Sequence, residues 1–304
     1  MTSEELLQKV RKIEIKTRSL SKNIFAGEYH SQFKGRGMSF SEVREYQPGD
    51  DVRSIDWNVT ARLNHPYIKV FEEERELTVM LLVDVSGSRN FGTLSQTKRD
   101  MLTEVAATLA FSTIENNDKV GVIFFSDKIE KFIPPKKGKT HVLHIIRELI
   151  SFEPSSKRTG IRTALEYFSN AQKRRSTAFL ISDFQDNELL SLNGQAAVGG
   201  SRRKKSELEK AWLVTSSRHD LHTIQIYDRR DAELPDVGLL RTEDAETGEI
   251  LWVDTGSAEV RRQYNKSWTD NQNALETLLT KTGTRNVSIR TDEDYVKKMM
   301  TLFR

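Results

Sequence analysis

The chain has 304 residues, of which 37% are hydrophobic and 30% are charged, so it holds enough apolar material for one large domain with appendages or for two smaller ones. It contains no cysteine, which excludes disulfides, thiolate nucleophiles and zinc sites built on sulfur. Its 47 basic and 44 acidic residues give a formal charge of only +3, whereas a dedicated nucleic-acid-binding protein is usually far more basic.

The N-terminal residues and the lengths of the apolar runs indicate the cellular location of the protein. No run approaches the roughly 20 apolar residues that span a bilayer, and the first residues lack the apolar core of a secretory signal. The dense basic cluster at 202–205 is interpreted as the solvated start of a helix. We therefore predict a cytoplasmic protein without a transmembrane segment and without a nucleic-acid partner.

The first 76 residues divide into two predicted regions. Residues 1–34 predict an N-terminal helical segment, because Leu6, Val10 and Ile13 recur at helical spacing. Residues 35–76 contain several glycines and prolines together with large apolar side chains, so they predict a small, irregular subdomain with short strands.

Residues 77–304 predict a larger domain, because short apolar runs alternate with helical stretches. Strands are predicted at 77–84, 119–126, 177–183, 222–228 and 286–289, with an edge strand at 129–133 and a hairpin insertion near 238–253. Helices are predicted at 95–115, 140–151, 161–174, 206–218, 258–281 and 292–303. Strands that alternate with helices pair in parallel through right-handed crossovers, so the expected fold is α/β, a doubly wound, mostly parallel sheet with helices on both faces.

Three oxygen-bearing side chains follow the first strand of this domain. Asp84, Ser86 and Ser88 occupy alternate positions, and alternate residues of an extended chain project to the same side. In doubly wound sheets, ligands bind beyond the carboxyl ends of the strands, where the winding direction reverses. A site of oxygen ligands with a single full charge suits a hard cation such as Mg²⁺ or Mn²⁺.

Two further residues extend the same site. Asp183 ends a later apolar strand, and Thr159 stands in a loop just before a helix that begins near Ile161. Each of these side chains taken alone could equally be a helix cap or a strand-end residue. Their order along an α/β pattern favours a metal site. Its predicted ligands are Asp84, Ser86, Ser88, Thr159 and Asp183.

This pattern of an aspartate, two serines, a loop threonine and a second aspartate resembles the metal-ion-dependent adhesion site of von Willebrand factor A domains. The stretch 37–62, which reads GMSFSEVREYQPGDDVRSIDWNVTAR, resembles the signature of the bacterial family called domain of unknown function 58. That family joins such a signature to a von Willebrand factor A-like domain. Together the two motifs cover most of the chain, from about residue 35 to about residue 253.

The resemblance implies a bound Mg²⁺, or alternatively Mn²⁺ or Ca²⁺. Ser86, Ser88 and Thr159 would contact the ion directly or nearly so, and the two aspartates would hold it directly or through water. One position departs from the pattern, because the loop reads Arg158-Thr159-Gly160 where such proteins usually read Gly-Thr-Asp. The change removes a carboxylate and places an arginine beside the site, which could weaken the affinity for the metal.

The resemblance also implies a function. Members of the family are typically encoded beside MoxR-type AAA+ ATPases, so we expect a metal-dependent protein-interaction module or adaptor that links such an ATPase to a client, in protein maturation or a stress response. The chain has neither a phosphate-binding glycine loop with a lysine nor a Gly-x-Ser-x-Gly elbow, so we do not expect an enzyme. The alternative is a metal-dependent hydrolase that uses a cation-bound water.

Two other groups of residues receive structural interpretations. In the signature, Arg53 and Asp56 precede Trp57, and we interpret them as a charged network around a buried tryptophan that joins the small subdomain to the α/β core. The six histidines are scattered without a metalloprotease pattern, so we expect surface or capping roles for them.

Overall fold

A computed structural model describes residues 8, 10–11, 13–14, 39–72, 77–92, 96–189 and 206–302. The chain forms two compact units, one of Tyr29–Leu77 and the other of Met1–Glu28 together with Thr78–Arg304. Most of the predicted N-terminal helical segment lies outside the described residues, although those of its residues that are described are helical. The basic cluster at 202–205 lies wholly outside them.

The described residues of the smaller unit, 39–72 and 77, contain one antiparallel strand pair and one short helix. Its elements in chain order are strand β1 (Ser39–Glu45), a 3-10 turn (Val52–Ser54), helix α1 (Trp57–Leu63) and strand β2 (Tyr67–Glu72). The two strands pair antiparallel. Helix α1 begins where it does because the Asp56 carboxylate accepts hydrogen bonds from the amides of Asn58 and Val59. The short strands expected in this region are confirmed.

The prediction that Trp57 is buried is wrong, because its side chain is 68% exposed. No residue of α1 is buried, and among the described side chains of this unit only Asp56 and Ile68 are buried. An indole buries about 150–250 Å² when it is enclosed, and a unit with so little apolar interior cannot provide that contact.

The charged network predicted around this tryptophan also has different members. Asp56 faces Lys69 at 3.4 Å, and not Arg53. A two-pronged ion pair joins the Arg44 guanidinium to the Asp50 carboxylate, with N–O distances of 2.8 and 2.7 Å. Both pairs are partly exposed to water, so each stabilises the unit only modestly.

The larger unit alternates strands with helices. Its strands are β3 (Thr78–Asp84), β4 (Lys119–Phe125), β5 (Ile129–Lys136), β6 (Thr177–Ser182), β7 (Asp220–Tyr227), β8 (Leu239–Glu243), β9 (Ile250–Asp254) and β10 (Arg285–Arg290). Its helices are α2 (Lys98–Glu115), α3 (Lys139–Ser151), α4 (Ile161–Ala171), α5 (Glu207–Arg218), α6 (Arg229–Ala232), α7 (Ala258–Thr282) and α8 (Tyr295–Leu302). The predicted strands and helices agree with these elements to within a few residues at each end. None of the helices in the described part of the chain is long and apolar enough to cross a membrane.

Six of these strands form one sheet in the order β10-β7-β6-β3-β4-β5. Neighbouring strands are parallel except at one edge, where β5 runs antiparallel to β4. Strands β8 and β9 form a separate antiparallel hairpin. The predicted α/β fold, its edge strand and its hairpin insertion are therefore confirmed.

Both faces of the sheet are covered by helices. Along β3, Met80 and Leu82 pack in one cluster with residues of α4, α5 and α7. Leu81 and Val83 point to the opposite face and are equally buried, so that face is covered as well, by α2, which contacts β3. Burial on both faces explains why β3 is apolar at every position from Val79 to Val83.

The winding direction of the chain reverses beside β3. From β3 the chain proceeds to β4 and β5 on one side, and it then crosses to β6, β7 and β10 on the other side. The carboxyl ends of β3 and β6 therefore border the crevice in which doubly wound sheets bind their ligands.

Candidate metal centre

Asp84 is the last residue of β3, and both of its carboxylate oxygens are hydrogen-bonded. Oδ1 accepts from the Ser86 amide at 2.9 Å, and Oδ2 accepts from the Ser182 hydroxyl at 2.6 Å. Ser182 ends β6, which is the parallel neighbour of β3. Asp84 is only 3% exposed, so the two strand ends meet around a buried carboxyl group.

The serine turn, formed by Ser86, Gly87 and Ser88, follows directly. The two serine hydroxyl oxygens lie 3.1 Å apart, as expected for alternate residues that project to one side. Between them, the Gly87 amide donates to the carbonyl of Lys157 at 2.8 Å. That bond holds the loop before α4 against the serine turn, which brings Thr159 toward the two serines.

The loop before α4 ends in Thr159 and Gly160. The Thr159 hydroxyl oxygen is buried and makes no well-formed hydrogen bond with any described residue. At Gly160, an added Cβ would lie 2.9 Å from the Asp127 Cα, which is closer than ordinary Cβ contacts. An aspartate at this position would require the backbone to move, which accounts for the glycine in this loop.

Asp183 follows β6 and holds a buried lysine. Its Oδ2 accepts from the Lys98 ammonium at 2.8 Å, and the same ammonium lies 3.1 Å from a carboxylate oxygen of Asp231. Lys98 is the first residue of α2, yet its side chain is only 3% exposed. Sequence reasoning missed Lys98 because a lysine at the start of a helix normally extends into water, and because its partner Asp183 lies 85 residues away.

Four of the five predicted ligands line one small cavity. Its volume is about 10 Å³, roughly the space of one water molecule. The cavity is lined by Asp84, Ser86, Ser88, Arg89, Lys98, Leu102, Asp183 and Ile226. Thr159 lies beside this lining, in the loop that is bonded to the serine turn. Among the described residues, no three His, Cys, Asp or Glu side chains cluster as a metal site, so the candidate centre depends on hydroxyls together with two aspartates.

Burial and charge act differently on the two aspartates. Burial, followed by the negative charge of Asp183, raises the pKa of Asp84 well above its usual value. Burial alone would also raise the pKa of Asp183, but the Lys98 ammonium and the Ser88 hydroxyl hold it below its usual value. Although burial alone would lower the pKa of Lys98, the carboxylates of Asp183 and Asp231 raise it. The site therefore contains a permanent internal cation beside Asp183.

The donor set fits a hard divalent cation. Asp84 and Asp183 supply carboxylates on neighbouring strand ends. Ser86, Ser88 and Thr159 supply hydroxyls, and the last of these is buried without a well-formed hydrogen bond. Carboxylate and hydroxyl oxygens are the ligands that Mg²⁺ and Mn²⁺ prefer.

The Lys98 ammonium does not cancel all of the negative charge that would attract a divalent cation. The charge of Lys98 is offset by Asp231 as well as by the cavity aspartate that it contacts. The second cation of the lining, Arg89, donates from its guanidinium to the carbonyl of Phe152 at 2.7 Å. Ionised Asp84, Asp183 and Asp231 carry three negative charges against the two positive charges of Lys98 and Arg89, so one net negative charge is left for a divalent ion.

Comparisons with known proteins identify relatives of the whole chain. A family model described as "Protein of unknown function DUF58" matches residues 42–274. The uncharacterized protein Rv1480 of Mycobacterium tuberculosis is 28% identical over 294 residues, which covers 96% of this chain and 87% of that protein.

Solved structures with a similar arrangement of elements share little sequence with this chain. An aerotolerance-related membrane protein from Bacteroides fragilis has a TM-score of 0.48 and 14% identity, covering 75% of this chain and 98% of that one. A von Willebrand factor type A protein from Catenulispora acidiphila has a TM-score of 0.39 and 10% identity, covering 78% of this chain and 43% of that one. Both TM-scores are low, so the α/β fold is assigned from the strand order and pairing of this chain itself.

Proposed function

This chain belongs to the DUF58 family, whose function is unknown, and we propose that it is a metal-dependent protein-interaction module. The proposed cation is Mg²⁺ or Mn²⁺. Its proposed ligands are Asp84, Ser86, Ser88, Thr159 and Asp183. The observation that carries the proposal is that four of these side chains, those of Asp84, Ser86, Ser88 and Asp183, line one cavity at the carboxyl ends of β3 and β6 with room for one small ion or water molecule, while the loop that carries Thr159 is bonded to the serine turn.

The proposed partner is an AAA+ ATPase of the MoxR type, which this protein would link to a client. The signature motif supports that choice, because such ATPases are typically encoded beside the proteins that it resembles. An ATPase partner would also place the protein in the cytoplasm, where ATP is available.

A cation at this site would retain an attraction for acidic groups. The two cavity aspartates neutralise a divalent ion only in part, since Asp183 shares its charge with Lys98. Arg89 lines the same cavity and Arg158 is exposed in the adjacent loop, so both add positive charge. An acidic side chain of a partner would therefore be drawn to this surface, and binding should weaken at high salt.

A hydrolytic role is not part of the proposal. A hydrolase needs a carboxylate that is free to accept a proton from a cation-bound water. The two oxygens of Asp84 already accept from Ser86 and Ser182. The Oδ2 of Asp183 already accepts from Lys98. Among the described residues, the cavity lining offers no further carboxylate that could serve as a separate base, which favours a binding role.

Binding to a candidate MoxR-type ATPase, with and without a chelator, tests the proposed function. Wild-type protein should bind in Mg²⁺ and lose binding in EDTA. The double substitution Ser86→Ala with Ser88→Ala should abolish binding, because it removes two of the proposed hydroxyl ligands. The control pair Ser151→Ala with Ser267→Ala changes exposed helix positions away from the cavity and should bind like wild type. Binding that ignores the chelator, or full binding by the first variant, would contradict the proposal.

A further inference from the structure

The β8–β9 hairpin, which belongs to the same unit as the cavity, has a compact acidic tip. Its turn is held by Asp244, whose Oδ1 accepts from the amides of Glu246 and Thr247 at 2.8 Å each. The Gly248 amide donates to the Asp244 carbonyl, at a left-handed φ of +75° that suits glycine. Local hydrogen bonds therefore set the conformation of the tip.

The tip contacts two loops of the candidate metal centre, the serine turn and the loop before α4. The carbonyl oxygen of Ala245 approaches Gly87 so closely that a Cβ added to the glycine would lie 2.2 Å from it. The next residue of the tip, Glu246, accepts a hydrogen bond at Oε1 from the Thr159 amide at 3.2 Å. Every other residue from 243 to 250 is exposed, and Glu246 is half-buried. The tip thus covers both loops that carry the predicted hydroxyl ligands.

The Glu246 carboxylate also lies within the electrostatic field of the site. The negative charge of Asp183 acts on this carboxylate, so the two groups repel each other. An opposite charge placed between two carboxylates removes such repulsion.

We propose that Glu246 is an intramolecular carboxylate for the cation site, and that the hairpin tip closes the face to which a partner binds. This inference rests on the proposed function, since it requires a bound cation. In the closed arrangement, Glu246 stabilises the metal from within the chain. A partner that offers an acidic side chain must first displace the tip, so the hairpin lowers the affinity for that partner.

With Glu246 as a ligand, the site gains a carboxylate that the loop before α4 lacks. Gly160 cannot carry a side chain without a shift of the backbone near Asp127. Glu246 brings a carboxylate to the neighbouring Thr159 from a position 87 residues later in the chain. The two loops and the hairpin together therefore complete a set of oxygen groups around the cavity.

Titration calorimetry with Mn²⁺ on the full chain tests the assignment. Glu246→Gln removes the charge and keeps the shape of the side chain, so its affinity for Mn²⁺ should be about 10–100-fold weaker than that of wild type. Glu249→Gln is the matched control, because Glu249 lies in the same hairpin connection but is exposed. This control should bind Mn²⁺ like wild type.

The outcomes separate failure of this inference from failure of the proposed function. If Glu246→Gln binds Mn²⁺ as tightly as wild type, the hairpin tip is not part of the site, and the cation site itself stands. If wild type binds no Mn²⁺, both the inference and the proposed function are overturned. Hydrogen exchange of residues 239–254 gives a second readout, because Mn²⁺ should slow it in wild type and not in Glu246→Gln.

A tri-glutamate peptide serves as the probe for competition at the closed face. With the cation site saturated by Mn²⁺, Glu246→Ala should bind this peptide at least about fivefold more tightly than wild type, because no internal carboxylate competes with it. Equal affinity in the two proteins would show that the tip does not block the face, and would overturn that part of the inference.

Discussion

Lys98 is a buried cation at the edge of a site that otherwise offers oxygen ligands. Its ammonium donates to Asp183 and lies 3.1 Å from a carboxylate oxygen of Asp231, and its side chain is only 3% exposed. A buried charge is tolerated when its partners are also buried and hydrogen-bonded to it. Lys98 therefore fixes the Asp183 carboxylate at the edge of the cavity.

Replacement of Lys98 by methionine should strongly destabilise the fold. Lys98→Met keeps the length of the side chain but leaves Asp183 and Asp231 buried without their cation, at a cost of about 3–5 kcal/mol in the free energy of unfolding. Urea denaturation measures this quantity. Lys281→Met is the control, because Lys281 is exposed and pairs with Glu209 at 3.8 Å, and it should cost less than about 1 kcal/mol. Equal stability of the two variants would contradict the structural role of Lys98.

At the residue scale, the sequence could predict side chains that share a short stretch, but not those brought together by folding. Asp84 and the two serines after it could be grouped because alternate residues project to one side. Lys98 and Glu246 could not be found in this way, since their hydrogen-bond partners lie 85 and 87 residues away. No local pattern distinguishes either residue from an exposed charge.

Helix α1 depends on its N-terminal cap, and the expected pairing of Asp56 with Arg53 is absent from the described contacts. Asp56→Ala should remove the cap and lower the stability of the helix by about 0.5–2 kcal/mol. Faster hydrogen exchange of the amides in Trp57–Leu63 would report that loss. Arg53→Ala should leave exchange unchanged, because Arg53 is exposed and Asp56 faces Lys69. If hydrogen exchange became equally faster in both variants, Arg53 and Asp56 would act together in the charged network that we expected from the sequence.

Two histidines near the start of β7 are buried, whereas we expected surface or capping roles. His222 lies within β7 and is 3% exposed, so the expectation is wrong for it. His219 does end α5 as its cap residue, yet it is 2% exposed. Its Nδ1 lies 3.1 Å from the Ser176 hydroxyl, and its ring packs against Phe168 with centroids 4.4 Å apart. Strand β7 begins between the two histidines, at Asp220.

Acid should destabilise the larger unit through His219. Burial lowers the pKa of His219, and the positive charges of Arg218 and Arg175 act in the same direction. In the unfolded chain the imidazole has its ordinary pKa of about 6.5, so the unfolded chain binds protons more readily than the folded protein. The contribution of His219 to the free energy of unfolding should therefore fall as the pH drops below about 6.5, and this group should have no effect well above that pH.

Urea denaturation between about pH 7.5 and pH 5.5 measures this dependence, since the transition of a cooperative domain reports its free energy of unfolding. His219→Gln should lose less stability over that range than wild type. Some dependence should remain in the variant, because burial also lowers the pKa of His141. Identical pH dependence in the variant and in wild type would contradict the assignment to His219.

At the element scale, the strands of the larger unit could be predicted because helices cover both faces of the sheet. Strands buried on both faces are apolar at nearly every position, and such runs stand out in a sequence of this charge content. The smaller unit was harder to predict from the sequence, because Trp57 is a large apolar residue that is nevertheless exposed. A large apolar residue indicates burial only where the surrounding elements form an interior that can enclose it.

At the scale of the larger unit as a whole, the strand order brings the candidate ligands together. The order β10-β7-β6-β3-β4-β5 places β3 beside β6, where the winding reverses. Alternating strands and helices predicted a doubly wound sheet, but not which strands are neighbours, because local periodicity does not encode long-range pairing. The β8–β9 hairpin likewise could be predicted from the sequence only in part. It could be predicted as an insertion, whereas its contact with the serine turn depends on the folded chain.

The central claim is that this chain binds one divalent cation at the ends of β3 and β6. Titration calorimetry with Mg²⁺ and Mn²⁺ on wild type and on Asp84→Asn tests it most directly, with Asp236→Asn as an exposed control. Asp84→Asn keeps the size of the side chain but removes a ligand charge, so wild type and the control should each bind one ion, with affinity about 100-fold or more above that of Asp84→Asn. Equal affinity in all three proteins, or no binding by wild type, would contradict the account.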